Sequence, residues 1–197
     1  MPYAQGLYDE TYYRCHCGPV PYERTQAWLG FFANIADEVI RSLQPRTVFD
    51  AGCAWGFLVE AFWDRGVEAR GIDISSCAIE QVRRDVKAFC NVASLADPIE
   101  GHYNLVTCIE VLEHMPPEEA DRAIHNLTQI TDTQPLIPNS GISLSDRTVP
   151  VVFDWCRSTP RSPNASSFQG LQLFFRRLTG LRPAHNKYCI SGRFGRR

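Results

Sequence analysis

One stretch in the first half of the chain constrains the fold more than any other. An apolar run from Val48 to Ala51 ends beside Gly52, and Gly56 follows four positions later. A helical pattern comes next, and a second apolar run ends at Asp73. A strand, a glycine turn, a helix and a second strand make a β-α-β unit, which is typical of parallel sheets covered by helices. The sequence therefore predicts an α/β fold built on a parallel sheet.

The spacing of the two glycines indicates which ligand the turn suits. A dinucleotide turn has the pattern G-x-G-x-x-G, which lets the backbone press against a pyrophosphate. Here three residues separate Gly52 from Gly56, and one of them is the bulky Trp55. Asp73 ends the second strand, where a carboxylate can accept both hydroxyls of a ribose. The pattern favours a ligand with a ribose and an adenine but no phosphate, and we expect the Asp73 carboxylate to be exposed without it.

Three segments, in order, resemble the motifs of one enzyme family. Residues 50–56, D-A-G-C-A-W-G, are similar to the first motif of the class I S-adenosylmethionine-dependent methyltransferases, usually D-x-G-C-G-x-G. Residues 71–75 and 104–117, the latter with V-L-E-H, are similar to the second and fourth motifs. The resemblance implies a Rossmann-like, mostly parallel sheet flanked by helices, with S-adenosylmethionine as cofactor. Ala54 stands where the family often has glycine, and we expect its methyl group to be a mild change.

The resemblance also assigns residues to the cofactor, from the ends of successive strands. In chain order they are Asp50, Ala51, Gly52, Cys53, Gly56, Asp73, Ile74, Ser94, Leu95, Cys108, Ile109 and Glu110. Asp50 has an alternative role as a cap for the helix that starts near Trp55. Asp97 is a rival to Ser94 and Leu95 near the adenine amine.

A histidine in the fourth motif is the candidate catalytic residue. His114 lies near the methyl donor in this resemblance and is placed to act as a general base for a hydroxyl or amine nucleophile. The alternative is structural, in which His114 caps or packs the turn before the helix that Pro116 and Pro117 open.

The N-terminal segment is rich in tyrosine. The resembled family often has a cofactor-covering segment here, so Tyr12, Tyr13 and Arg14 are expected to form a lid. Tyr12 and Arg14 would contact the cofactor, with Arg14 at its methionine carboxylate. Ordinary packing is the alternative. The run from Cys15 to Cys17 would suit zinc only with paired ligands elsewhere, which the other cysteines lack, so no metal is expected.

Apolar periodicity places the remaining elements. A stripe at spacings of three and four predicts a helix from Pro21 to Leu43. Strands are predicted over residues 47–51, 67–74, 89–92 and 105–110, and further helices over residues 57–65, 75–86 and 117–130.

The chain changes character after Asp132. Residues 1–132 hold 10 Lys and Arg against 20 Asp and Glu, whereas residues 133–197 hold 10 against 2. The family motifs stop, residues 155–167 resemble a loop, and only Val149 to Phe153 suggests a good strand. We therefore predict a cofactor-binding methyltransferase domain with an N-terminal cap segment over residues 1–132. A basic, loosely ordered part, divergent or frameshifted, would follow over residues 133–197 and leave the sheet atypical and incomplete.

These expectations converge on an enzyme that transfers methyl from S-adenosylmethionine to a small-molecule or glycan-type acceptor. The alternatives are a non-catalytic remnant that only binds the cofactor and an NAD(P)-dependent oxidoreductase, which the absent G-x-G-x-x-G pattern disfavours. The eight cysteines are scattered, and we see neither a signal peptide nor a membrane helix, so a reducing cytoplasmic location is expected. Because the C-terminal arginines are dispersed, nucleic acid is not an expected partner, and the oligomeric state is left open.

Overall fold

The computed structural model describes residues 6–17, 20–131 and 151–153. Within them, five strands form one parallel sheet in the order β3-β2-β1-β4-β5. The strands are β1 (Thr47–Ala51), β2 (Glu68–Asp73), β3 (Cys90–Val92), β4 (Leu105–Ile109) and β5 (Val151–Phe153). The predicted parallel α/β fold is confirmed, and the strand predicted within residues 149–153 pairs with β4.

Helices flank the sheet, and three of them depart from the sequence prediction. The helix predicted from Pro21 begins only at Gln26, where the hydroxyl of Thr25 accepts the backbone N–H of Trp28 and caps its first turn. The helices are α1 (Glu10–Cys15), α2 (Gln26–Leu43), α3 (Phe57–Trp63), α4 (Ser76–Glu80) and α5 (Pro117–Gln129). The first, α1, was not predicted, because it is only six residues long and carries no apolar stripe. It begins where the Asp9 carboxylate accepts the backbone N–H of Tyr12 at 2.9 Å.

The helix predicted over residues 75–86 is wrong beyond Glu80. Arg83 Nε donates to Asp85 Oδ1 at 2.7 Å, a pairing two positions apart that a helix does not bring face to face. The same guanidinium bonds both oxygens of Asp64 after α3, at 2.9 and 2.6 Å. Arg83 therefore ties the segment after α4 to α3 instead of extending the helix.

Each face of the sheet carries its own apolar layer. On one face, α2 and α3 pack Val39 and Phe62 against Val48 of β1. On the other, α5 packs Leu127 against Val106 of β4. All five side chains are fully buried. Because the helices pack against the strands through these layers, they also determine where the loops that follow the strands lie.

The strand order reverses direction beside β1, which has β2 on one side and β4 on the other. In open parallel sheets this switch point opens a crevice at the carboxyl ends of the strands, where ligands bind. Asp50 near the end of β1 pairs in register with Gly71 of β2 and Thr107 of β4. The candidate site is therefore expected at the carboxyl ends of β1, β2 and β4.

No helix in the described part of the chain is long and apolar enough to cross a bilayer. The sequence predictions for residues 132–150 and 154–197 lie outside the described residues. The division of the chain at Asp132 thus stays a prediction.

Candidate functional site

The glycine turn after β1 is fastened to the second strand. The backbone N–H groups of Gly52 and Cys53 both donate to the carbonyl oxygen of Ile72, at 2.8 and 2.9 Å. Gly52 has a φ of +80°, and a Cβ added there would lie 2.3 Å from Cγ2 of Val111, in the loop after β4. Glycine at position 52 is therefore required by both its backbone conformation and the packing of Val111.

Ala54, in the middle of this turn, is strained. Its φ is +47°, in the left-handed region, where a Cβ costs about 1–2 kcal/mol. The expectation that alanine is a mild change at this position is therefore wrong, because the methyl group acts on the backbone rather than on the ligand space. Gly56 closes the turn with a φ of +70°, and Val82 and Cys90 pack against it.

Asp73 is buried rather than exposed, which corrects the sequence expectation. Only 8% of the residue is accessible. Its Oδ2 accepts the N–H of Ala54 and its Oδ1 accepts the N–H of Ser75, both at 2.8 Å. Burial raises the pKa of the carboxyl, and these two backbone bonds oppose the rise. Each carboxylate oxygen keeps a further lone pair, so ribose hydroxyls can still be accepted.

Asp50 lies inside the sheet. It is 5% accessible, and its Oδ1 accepts a hydrogen bond from Oγ1 of Thr107 at 2.7 Å. Burial raises the pKa of its carboxyl to about 7, and the nearby charge of Asp73 adds to the rise. No side chain caps α3, whose N-cap is Gly56, so the alternative role of Asp50 as a helix cap is wrong. The two acids together form a buried, electronegative pair that a cation would stabilise.

Aromatic residues of the N-terminal segment cover the turn. Tyr13 of α1 is buried, and its ring lies 6.2 Å from that of Trp55, measured between centroids. Tyr22 stacks on Phe57 at 5.2 Å and meets Trp55 edge-on. Ser75 Oγ donates to the carbonyl oxygen of Tyr8 at 2.5 Å, which fixes the segment to the loop after β2. These contacts hold the N-terminal segment beside the loop that carries Asp73.

Arg14 lies on the outer side of this helix. Its guanidinium pairs with Glu10 at 2.7 Å, and both side chains are more than half exposed. The contact of Arg14 with a methionine carboxylate stays a prediction, and it requires this pair to break. Tyr12 is half-buried, with its ring 4.9 Å from that of Tyr8.

The end of β4 contributes the opposite wall. Cys108 is buried beside Ala51, while Glu110 is exposed and has a φ of +55°. His114 is exposed on the next turn, with its ring 6.4 Å from Tyr8 and 6.5 Å from Tyr12. The structure thus brings His114 to the rim of the site, against the N-terminal aromatic residues. Its role as a general base stays a prediction.

The loop after β3 borders the site through its backbone. The N–H of Ala93 donates to the carbonyl oxygen of Asp73 at 3.0 Å, and Leu95 is buried. Asn126 of α5 donates to the carbonyl oxygens of Leu95 and Asp97 at 2.9 and 2.8 Å. Sequence reasoning missed Asn126, because a lone asparagine inside a helical pattern carries no signal of a partner 30 residues away.

Cysteine chemistry does not define a second centre in the described part of the chain. Its six cysteines are free thiols, and no group of three or more His, Cys, Asp or Glu side chains there is placed to hold a metal. Cys15 is exposed and Cys17 half-buried at the end of α1.

The donor set fits S-adenosylmethionine. The cofactor offers a ribose diol for Asp73 and a positive sulfonium and ammonium for a site with two buried carboxylates. Trp55 Nε1 is buried beside the turn without a hydrogen-bond acceptor among the described residues. A buried N–H donor of this kind can meet a polar ligand atom. The backbone N–H groups of Gly52, Cys53 and Ala54 already donate to Ile72 and Asp73, so they do not form a cradle for phosphate.

Comparison with known proteins agrees with this chemistry. Residues 48–134 match the model of a family described as a methyltransferase domain. The chain is 36% identical over 91 residues to the ubiquinone biosynthesis O-methyltransferase of Nitrosomonas europaea, covering 42% of the chain and 39% of that protein. It is 37% identical over 95 residues to the protein of the same name from Bordetella avium, covering 44% and 39%. The chain thus spans about two fifths of the length of these curated relatives.

A solved structure of magnesium protoporphyrin IX methyltransferase from Synechocystis, with bound S-adenosylmethionine, is 26% identical, with a TM-score of 0.45. The similarity covers 54% of the chain and 55% of that protein. From the family match, residues 48–134 form a class I methyltransferase domain, as the sequence motifs predicted. The cofactor of this class is S-adenosylmethionine.

Proposed function

We propose that the chain transfers the methyl group of S-adenosylmethionine to an oxygen atom of a small-molecule acceptor. The observation that carries the proposal is the meeting of the glycine turn, the buried Asp73 and the buried Asp50 at the switch point of the sheet. When bound, the cofactor supplies an electrophilic methyl group on a positive sulfonium. The protein then has to hold the donor, orient the acceptor and exclude water.

Each of these tasks falls to residues at the carboxyl edge. Asp73 would accept the ribose hydroxyls, and Asp50 supplies negative charge near the methionine end. Tyr13, which is buried, and Trp55, which is half-buried and in ring contact with it, would shield the turn from water. His114 at the rim would accept the proton of the acceptor hydroxyl as its oxygen attacks the methyl carbon.

The acceptor class is inferred from the relatives and from the rim. The two curated relatives are named for O-methylation in ubiquinone biosynthesis, which favours an oxygen nucleophile on a small molecule over a glycan. The rings of Tyr8 and Tyr12 beside His114 would suit a planar aromatic acceptor. The free thiols of the described residues support a reducing compartment such as the cytoplasm.

Two measurements test the proposal in sequence. Isothermal titration calorimetry should show binding of S-adenosylhomocysteine to the full chain, and a hundredfold excess over Kd should stabilise the fold by about 2.7 kcal/mol. A folded sample that binds neither S-adenosylhomocysteine nor S-adenosylmethionine would refute the proposal. Binding of NAD or NADP in their place would support an oxidoreductase instead.

Transfer of isotopically labelled methyl to a panel of catechols and hydroxylated quinone precursors follows. His114→Gln should lower kcat about 10²–10⁴-fold while leaving the Kd for S-adenosylhomocysteine within error of the parent. Equal kcat in the variant and the parent would show that His114 takes no part in catalysis. Tight cofactor binding without transfer to any hydroxylated acceptor would favour a non-catalytic cofactor-binding protein.

A further inference from the structure

Two helices on one face of the sheet leave a cleft between them. It has a volume of about 200 Å³, and its walls include Leu29, Gly30 and Ala33 of α2 and Phe57, Glu60 and Ala61 of α3. These residues are three and four positions apart, so each set lies on one side of its helix. A cavity of about 150 Å³ can hold benzene, so this cleft is large enough for a small ligand with a ring. The residues that line it are not among those that the sequence assigns to the cofactor.

A buried carboxylate on the α3 wall has one oxygen without a partner. Glu60 is only 5% accessible. Its Oε1 accepts a hydrogen bond from Arg24 at 2.6 Å and pairs with Arg83 at 3.0 Å. Its Oε2 is buried and has no hydrogen-bond partner among the described residues. Because an unsatisfied buried acceptor destabilises a fold, a donor at Oε2 would stabilise this one.

The charges around the cleft can balance one more cation. The lining residues and their ion-pair partners include four carboxylates and three guanidinium groups, on Asp37, Glu60, Asp64, Asp85, Arg24, Arg65 and Arg83. Arg65 already bonds both oxygens of Asp37, and Arg83 already bonds both oxygens of Asp64. Four negative charges against three positive ones leave a surplus of one negative charge in this described network. An ammonium group at Oε2 of Glu60 would balance it.

A glycine keeps the α2 wall open. Gly30 lies inside an 18-residue helix, where glycine is less favourable than alanine. A Cβ added at Gly30 would meet nothing within 4 Å, so packing does not require glycine at this position. The missing side chain instead leaves room in the cleft.

We propose that the cleft between α2 and α3 is a second binding site, which takes a small primary amine that carries an apolar group. The ammonium group donates to Oε2 of Glu60, and the apolar group lies against Leu29 and Ala61. Because Oε2 is closed to solvent, the exposed side chain of Gln26, which also lines the cleft, rotates as the amine enters. The site does not depend on the methyl transfer proposed above, since its residues have no part in cofactor binding or catalysis.

Benzylamine is the probe, titrated into the ¹⁵N-labelled full chain while amide chemical shifts are followed. We expect saturable shifts in α2 and α3 with a Kd on the order of 1 mM, as suits a ligand of this size. Benzyl alcohol has the same ring but no charge, and it should bind about tenfold more weakly. No saturable shift with benzylamine at up to ~20 mM would overturn the site. Equal affinities for the two probes would overturn the role of Glu60.

Glu60→Gln tests the anchor against a matched control. The glutamine keeps a carbonyl oxygen for Arg24 and Arg83 but places an N–H donor where Oε2 stands, so benzylamine should bind about 10–100-fold more weakly. Asp64→Asn removes one charge from the same network but leaves Oε2 in place, so its Kd should rise by no more than about threefold. Equal weakening in the two variants would show a diffuse attraction to negative charge and would overturn the anchor.

Gly30→Leu closes the cleft from the other wall. Side chains of a helix lean toward its N-terminus, so a leucine at position 30 leans over Gln26 and the cleft. The variant should lose benzylamine binding while being at least as stable to urea as the parent, because it removes a glycine from a helix. Gly30→Ala gains helix propensity in the same way but adds only a methyl group, and it should still bind. Binding by Gly30→Leu as tight as that of the parent would refute the site.

S-adenosylhomocysteine separates this cleft from the candidate cofactor site, whose buried Asp50 and Asp73 would also attract an amine. The Kd for benzylamine should be the same with and without saturating S-adenosylhomocysteine. Displacement of benzylamine would place the amine at the carboxyl edge and overturn the second site. If the chain binds no S-adenosylhomocysteine, the proposed function fails, and the comparison of Gly30→Leu with Gly30→Ala still decides this inference.

Discussion

The faces of the sheet and its carboxyl edge are built from opposite kinds of residues. On the faces, side chains such as Val39 and Leu127 are apolar and fully buried. At the edge, Asp50 and Asp73 are buried carboxylates, and Ala54 and Glu110 hold positive φ angles that glycine would normally occupy. The faces stabilise the fold, whereas the edge reduces stability in the absence of a ligand. A bound cation would therefore offset the free-energy cost of burying the two carboxylates at this edge.

The largest effect on stability is expected for the substitution of Asp73, one of the two buried carboxylates at the edge. Asp73→Ala should lower the free energy of unfolding by about 2–6 kcal/mol, because the N–H groups of Ala54 and Ser75 would each lose a buried acceptor. Urea unfolding measures it, with the exposed Asp121→Ala on α5 as control. Stability equal to that of the control would mean that the carboxylate serves the ligand alone. Affinity for S-adenosylhomocysteine should also fall, by about 1.5–3 kcal/mol for each charged hydrogen bond lost.

Gly52→Ala comes next. The added Cβ would stand 2.3 Å from Val111 and would strain a φ of +80°, so we expect a loss of about 2–5 kcal/mol. Gly66→Ala is the matched control, since Gly66 has a φ of +75° with open space around it. The difference between the two variants isolates the collision with Val111. Equal losses would show that Val111 yields freely and that only the backbone conformation matters.

Asp50→Asn tests the electrostatic half of the comparison through pH. The pKa of Asp50 is raised to about 7 in the folded chain, so the fold favours the protonated carboxyl. The contribution of this group to the free energy of unfolding is therefore complete below its ordinary pKa and is lost as the pH rises through about 7. The asparagine variant lacks this loss and should be more stable than the parent by on the order of 2 kcal/mol at pH 8, with the gap closing toward pH 4. Thermal unfolding at several pH values measures the gap. A gap independent of pH would show that Asp50 does not titrate in this range.

The smallest effect is expected at Ala54. Ala54→Gly relieves left-handed strain of about 1–2 kcal/mol but adds backbone entropy to the unfolded chain worth about 0.5–1 kcal/mol, so a net gain of up to ~1.5 kcal/mol is expected. Ala120→Gly inside α5 should have the opposite sign, with a loss of about 1 kcal/mol. If both variants lose stability, Ala54 is not strained in the turn. The backbone at position 54 would then not be one of the features that reduce the stability of the edge.

Local patterns predicted the sheet well. β1 occupies the predicted residues, and β2, β3 and β4 differ from prediction by a residue at one or both ends. Central parallel strands are continuous apolar runs, so their sequence signal does not depend on distant residues. The helix prediction for residues 75–86 was wrong beyond Glu80 because Arg83 pairs with Asp64 and Asp85. The spacing of apolar residues along the sequence does not indicate such a pairing.

The site was predictable in its positions but not in its environment. The motif spacing indicated Gly52 and Asp73 correctly as neighbours at one edge of the sheet. Burial of Asp73 could not be predicted, because it depends on segments that are distant in the chain, such as the N-terminal segment that Tyr8 fixes to Ser75. Val111 was missed for the same reason, since its contact with Gly52 joins loops from two strands that are not consecutive.

The pairing of β1 with β4 also implies an order in which the parts of the site form during folding. Thr107, the hydrogen-bond partner of Asp50, is 57 residues further along the chain, whereas β2 follows β1 after a short helix. Closing the longer loop is the slower event, because contacts of high sequence separation lose more chain entropy before they gain energy. We therefore expect Asp50 to stay hydrated during folding until β4 docks. The acidity of the surroundings should then act on the rate of that docking step as well as on the stability of the finished fold.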